Sequence, residues 1–213
     1  MKKTIIFGDS YSTFKGYIPE GYRVYYSEQG RPETDVTRVE ETWWHSAFAE
    51  TDSELVLNNS WSGSTIGFTG YDNVDCSKSS SFIYRLEQLI ENRFFESNSI
   101  DRVFIFGGTN DSWSGAPIGE LMLDSWERND LYCVLPAICC FFKTMRDTLP
   151  NAEIYALINT ELNPIIADGM KKACEHNGIT AITFEHIDLR CGHPTIKGMQ
   201  DIKEQVVKTV NKK

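Results

Sequence analysis

Short apolar runs rich in β-branched and aromatic residues recur along the chain, separated by longer amphipathic or wholly apolar stretches. Runs at residues 4–7, 55–57, 102–106, 154–158 and 179–184 have the length and composition of strands. Between them, 41–49 places Trp43, Trp44, Ala47 and Phe48 at helical spacing, and 82–95 gathers Ile83, Leu86, Leu89 and Ile90 on one face. A third helix is predicted over 131–149, ending before Pro150, and a fourth over 165–176, ending at Asn177-Gly178. The last is expected to start near Pro194-Thr195, with proline in its first turn, and to run to about Val210. Strands alternating with helices predict an α/β domain: βαβ units, a mainly parallel five-stranded sheet and helices on both faces. Two longer irregular stretches, 15–39 and 113–129, hold Tyr17, Tyr22, Tyr25, Tyr26, Trp113 and Trp126, an aromatic content that predicts packed lids.

Length adds that 1–213 form one domain with one substantial core. The net charge of −9 argues against nucleic acid or an anionic membrane surface as partner, since both need a basic patch. The lysines at the end (Lys208, Lys212, Lys213) read as the solvated last turn of a helix. Met1-Lys2-Lys3 is basic, yet the apolar run behind it is far shorter than the roughly 7–15 residues of a secretory segment. No stretch reaches membrane-spanning length, and a cytoplasmic location is expected. The cysteines (Cys76, Cys133, Cys139, Cys140, Cys174, Cys191) lack paired spacing, and adjacent Cys139 and Cys140 in an apolar run read as core thiols.

Chemistry collects behind the predicted strands. Gly8-Asp9-Ser10 follows the first, Asn59 to Thr65 the second, Gly107-Gly108-Thr109-Asn110-Asp111 the third, and Asp188 to Pro194 the fifth. In a doubly wound sheet these positions share one rim, where ligands bind. Alone, Gly-Asp-Ser is a common turn. Together the blocks suit acyl transfer: a serine nucleophile, an imidazole base, a group to orient that base, and amide donors for an oxyanion. Ser10, His193, Asp188, Gly63 and Asn110 fill those roles.

These residues also carry a resemblance. Gly8-Asp9-Ser10, the Ser62-Gly63-Ser64-Thr65 turn, Gly107-Gly108-Thr109-Asn110-Asp111 and His193-Pro194-Thr195 stand in the order of the blocks of the SGNH (GDSL-type) hydrolases. The resemblance spans nearly the whole chain. It implies a three-layer α/β/α flavodoxin-like fold and ester hydrolysis with neither metal nor other cofactor. It makes Ser10 the nucleophile and His193 the base, with the Ser10 and Gly63 amides and the Asn110 side chain as oxyanion donors. Two positions depart from the pattern. Tyr11 stands where leucine is usual, and Arg190 stands where the family has the aspartate three residues before the histidine. Asp188, five residues before His193, is the favoured orienting acid, a loop bulging at Gly192 being needed to bring it there. The other reading is a backbone carbonyl behind the imidazole, leaving a dyad.

Remaining candidates have plainer roles. His176 suits a helix end, His45 suits packing, and His186 with Asp188, Cys191 and His193 lacks the spacing of a zinc site. Trp61 and Trp113 flank the oxyanion blocks and are candidate substrate walls for a sugar ring or a short acyl group. The expected function is a serine esterase for short-chain or carbohydrate acetyl esters, with a small-molecule or carbohydrate ester as its partner. A lysophospholipase or thioesterase using the same site is the alternative, and a glycan-binding module without activity is the reading that Arg190 favours.

Overall fold

The computed structural model describes residues 1–212. Five parallel strands, β1 (Lys2–Gly8), β2 (Ser53–Ser60), β3 (Arg102–Phe106), β4 (Glu153–Ile158) and β5 (Thr180–Thr183), form one sheet in the order β2-β1-β3-β4-β5. Helices α1 (Trp43–Glu50), α2 (Phe82–Glu91), α3 (Phe94–Ser97), α4 (Thr109–Trp113), α5 (Val134–Thr148), α6 (Pro164–His176) and α7 (Ile196–Val210) connect and cover it.

Strand alternation assigns the two faces. Ile5, Phe7, Val103, Ile105, Ile154 and Ala156 join side chains of α2, α5 and α6 in one core. Ile6, Phe104, Phe106, Tyr155 and Leu157 join those of α1 and α7 in the other. Because both faces are covered, the central strands β1, β3 and β4 read as continuous apolar runs. This is the three-layer α/β/α arrangement. The chain leaves β1 to build β2 on one side and returns to build β3 on the other. The crevice beyond their carboxyl ends is the sheet's switch point, where an open parallel sheet binds ligands.

Element boundaries differ locally from the sequence reading. The helix expected over 82–95 breaks after α2 because Asn92 caps it and Arg93 turns left-handed at φ 56°, closing the end with an N–H to the Ile90 carbonyl. The helix expected from residue 131 begins at Val134, after a 3-10 turn over Arg128–Tyr132. Pro194 lies outside α7, whose N-cap is Thr195. The two-residue strands β6 (Leu189–Arg190) and β7 (His193–Pro194), and the short α4, were not visible as patterns.

The stretch after β1 packs on the sheet through Phe14, Tyr26, Val36 and Val39. The stretch 113–129 packs through Ala116, Leu121, Leu123 and Trp126. Lys208 lies in the last turn of α7 and Lys212 just beyond it, while Lys213 lies outside the described residues. All six cysteines are free thiols, and burial pushes those of Cys139 and Cys140 up to about 11. Among the described residues no helix is long and apolar enough to cross a membrane.

Candidate active site

The sheet delivers Ser10 first. Gly8 ends β1 against β2 so closely that a Cβ there would stand 2.4 Å from Ser60 Oγ and 2.7 Å from Ser12 Cβ. Asp9 then caps a 3-10 turn over Ser10–Ser12, its Oδ1 accepting from the Tyr11 N–H at 3.0 Å. The turn holds Ser10 at the carboxyl end of β1, with its Oγ 3.1 Å from Nε2 of His193. On the far side of that ring, Nδ1 lies 3.2 Å from the Cys191 carbonyl oxygen. A carbonyl only accepts, so Nδ1 carries the proton and Nε2 presents its lone pair to the serine.

The group at Nδ1 is therefore a backbone carbonyl, and the Asp188 carboxylate bonds to Thr195 instead. In the β6–β7 hairpin Arg190 pairs with His193 and Leu189 with Pro194, across a turn made by Cys191 (φ 48°) and Gly192 (φ 73°). That register sets Asp188 level with Thr195. The Asp188 carboxylate accepts from the Thr195 hydroxyl, and its carbonyl accepts from the Thr195 N–H at 3.1 Å. Asp188 fastens the start of α7. The Gly192 bulge expected to carry it onto the imidazole is instead the tip of the hairpin.

The histidine is held by the segment after β1, the aromatic stretch read from the sequence as a packed lid. The Tyr25 ring stacks on the imidazole with centroids 3.7 Å apart and planes 5° from parallel. The Arg31 guanidinium covers the other face of Tyr25 at 4.2 Å. Tyr11 donates to the Gly192 carbonyl at 2.6 Å, while Tyr26 and Thr34 donate to the Pro194 carbonyl at 3.2 and 3.3 Å. Burial lowers the pKa of His193 below its ordinary 6.5, partly opposed by the Cys191 carbonyl. Burial thus favours the neutral form of the ring. Only the aromatic density of 15–39 hinted at these contacts.

Beside Ser10, the loop after β2 is pinned to the sheet by the Trp61 N–H, which donates to the Gly8 carbonyl at 3.1 Å. Gly63 sits at φ 82°, a region that disfavours a side chain. Among the described residues, neither the Ser10 nor the Gly63 N–H has a protein acceptor. Asn110, on the first turn of α4, donates through Nδ2 to the Ser64 carbonyl at 2.9 Å and accepts through Oδ1 from the Tyr71 hydroxyl at 2.8 Å. Ser64 links the loop after β2 to α4.

Buried charge supports this loop from beneath. Arg85 donates to the Ser80 carbonyl at 2.9 Å, to Ser64 Oγ at 3.1 Å and to the carbonyl of Asn59. Complete burial lowers its pKa to about 9. Asp111 accepts from the Ile66 and Gly67 N–H groups at 3.0 and 3.2 Å, and burial raises it to about 6. Asp9 is raised to about 7 by burial, and among the described residues its Oδ2 has no hydrogen-bond partner.

The two tryptophans part company. Trp61 packs against Tyr22 at a tilt of 37°, with centroids 4.3 Å apart, and, with Arg23, Gly63, Tyr71 and Ser79, lines a cleft of about 290 Å³ beside the loop after β2. Trp113 meets the His193 ring edge-on at 6.2 Å and covers Gly192. Of the other histidines, His176 pairs with Asp124 at 2.6 Å, His186 pairs with Asp201 at 3.0 Å, and His45 is exposed on α1. Among the described residues no three His, Cys, Asp or Glu side chains converge as metal ligands.

A parallel three-layer sheet with a serine–histidine pair at its switch point defines a class, the α/β/α hydrolases. Residues 2–210 match the family model of GDSL-like lipases and acylhydrolases. A protein from Bacteroides ovatus described as a GDSL-like lipase is similar over 100% of this chain and 99% of its own, at 41% identity and a TM-score of 0.92. One from Bacteroides uniformis with the same description is 42% identical, with a TM-score of 0.90, over 100% and 97% of the two chains. A family two carbohydrate esterase from Clostridium thermocellum, solved with cellohexaose, shares the fold at 14% identity and a TM-score of 0.66, over 99% of this chain and 64% of its own. Among curated proteins no match was found. The chain belongs to the GDSL-like lipase/acylhydrolase family and is a hydrolase of ester bonds.

Proposed function

We propose that the protein is a serine esterase that removes short acyl groups, acetyl above all, from small or carbohydrate alcohols through an acyl-enzyme on Ser10. The observation that carries the reading is the relay from Ser10 Oγ to His193 Nε2 at 3.1 Å, with Nδ1 held by the Cys191 carbonyl at 3.2 Å. Ser10 Oγ attacks the ester carbonyl carbon while Nε2 takes its proton. The tetrahedral oxyanion is received by the Ser10 and Gly63 N–H groups and the uncommitted N–H of Asn110. The imidazolium then protonates the departing alkoxide, and water repeats the sequence to release the acid and free the serine. The Cys191 carbonyl dipole and the face of Tyr25 stabilise that imidazolium, in the absence of a carboxylate.

The small cleft lined by Trp61, Arg23 and Ser79 favours a compact substrate over a long acyl chain. Two proteins that share the fold point the same way: the carbohydrate esterase bound to cellohexaose and an acetyl xylan esterase from Butyrivibrio proteoclasticus. The test is a chain-length series of nitrophenyl esters together with acetylated sugars. Turnover highest at two to four carbons, and lost with fluorophosphonate labelling in Ser10→Ala, is expected. Activity that rises with chain length transfers the site to lipids, and turnover intact in Ser10→Ala overturns the reading.

A further inference from the structure

An oxyanion donor on a side chain has a weakness that a backbone amide lacks. A primary amide that rotates by half a turn presents its oxygen, and that oxygen repels the charge it should stabilise. In this site the orientation of Asn110 is decided by two partners of opposite character. The Ser64 carbonyl only accepts, so Nδ2 must face it, at 2.9 Å. The oxygen is then left toward Tyr71, whose hydroxyl donates to Oδ1 at 2.8 Å. One Nδ2 proton is spent on Ser64, and the other stays free for a ligand.

The contact with Tyr71 is built into the loop that bears it. Gly70 donates to the Val74 carbonyl at 2.8 Å, Val74 donates back to the Tyr71 carbonyl at 3.0 Å, and Thr69 bridges Asp75. Closing so tight a loop puts Asp72 and Asn73 both at positive φ, 55° and 56°, a region that glycine, asparagine and aspartate enter more readily than other residues. The ring is 39% exposed and forms a wall of the 290 Å³ cleft. Burial of its hydroxyl raises the phenol to about 12, so it remains a donor through the neutral range.

Resting on the esterase reading above, we propose that Tyr71 is the positioning residue of the oxyanion hole: its hydroxyl holds the Asn110 amide with nitrogen toward the reacting oxygen, and its ring walls the substrate cleft. The hydroxyl also polarises the amide, since a hydrogen bond accepted at the oxygen strengthens the donor at the nitrogen. The ring and the hydroxyl therefore have separable effects. The ring bears on binding, and the hydroxyl bears on turnover.

The experiment compares Tyr71→Phe, Tyr71→Leu, Asn110→Ala and the double variant Tyr71→Phe/Asn110→Ala on nitrophenyl acetate. Tyr71→Phe is expected to lower kcat about tenfold with KM within twofold, less than the 10²–10³-fold typical of deleting an oxyanion donor. Tyr71→Leu is expected to raise KM as well. In the Asn110→Ala background, Tyr71→Phe is expected to cost no further rate, because there is no amide left to hold. A boronic acid, which forms a tetrahedral adduct on the serine, should bind Tyr71→Phe about tenfold more weakly, a readout independent of turnover. Wild-type kcat in Tyr71→Phe, or a full multiplicative loss in the double variant, overturns the proposal. If Ser10→Ala is inactive while Tyr71→Phe behaves as wild type, only this inference fails; if Ser10→Ala keeps its activity, the esterase reading fails first.

Discussion

For His193 to serve as the proposed base with a carbonyl at its far nitrogen, its orientation and its pKa must come from groups other than a carboxylate. Here the Cys191 carbonyl fixes the tautomer, and Tyr25, stacked at 3.7 Å, fixes the plane of the ring. An aromatic pair of this kind contributes about 0.5–1.5 kcal/mol beyond its area. Tyr25→Ala should therefore lower kcat/KM about 3- to 10-fold, and Tyr25→Phe should restore most of it, as steady-state kinetics on a short ester will show. The pH profile follows from burial. Because burial stabilises the neutral imidazole, His193 deprotonates below 6.5, and the acid limb of kcat/KM should lie on the acidic side of that value. Arg31 also lowers this pKa, so Arg31→Gln should move the limb to higher pH. Asp188 offers the complementary test. Asp188→Asn should leave kcat within a few-fold of wild type while lowering stability by about 1 kcal/mol, the worth of its bond to Thr195. Loss of activity on the scale of a deleted triad member would return Asp188 to the chemistry.

At the scale of elements, the motifs were legible wherever a strand end announced them. Gly8-Asp9-Ser10, Gly63 and Asn110 each follow an apolar run, and their shared rim follows from the parallel sheet. The hairpin that bears His193 was not legible. Its strands are two residues long, and its turn has a cysteine at φ 48° where asparagine or glycine would signal it. Nor could pattern reasoning place Tyr25 or Tyr71. Their partners lie far away in sequence, and irregular loops have no periodicity from which a facing direction can be read. The elements still transmit position to the site. A Cβ at Gly198, in the first turn of α7, would stand 2.0 Å from the Asp188 carbonyl oxygen, a backbone atom that cannot turn aside. Gly198→Ala should thus push α7 from the hairpin, costing about 1–3 kcal/mol of stability and lowering kcat together with it. Melting temperature and kinetics on the same preparation test whether the two fall in step.

At the scale of the whole molecule, the site lies over a sheet end that buries charge as well as apolar surface. Asp9 and Asp111 are raised by burial to about 7 and about 6 from an ordinary 3.8, with Arg85 beside them. A carboxyl whose folded pKa is raised binds its proton more tightly in the native state than in the unfolded chain. Its contribution to stability is then fully present below about pH 4 and is lost as pH climbs through the folded values, between roughly 4 and 7. Glu153, lowered in the folded state beside Lys2 and Arg102 despite partial burial, contributes in the opposite sense. The net profile is a sum, but a difference between variants isolates one group. Asp9→Asn keeps an oxygen for the Tyr11 N–H and removes the titration. Its melting temperature relative to wild type should therefore rise from pH 5 to about pH 7 and level off above it. A constant difference across that range would mean that Asp9 is not a carboxyl held against its charge. The gain should appear in stability and not in rate, since Asp9 reaches Ser10 only through the backbone turn that it caps.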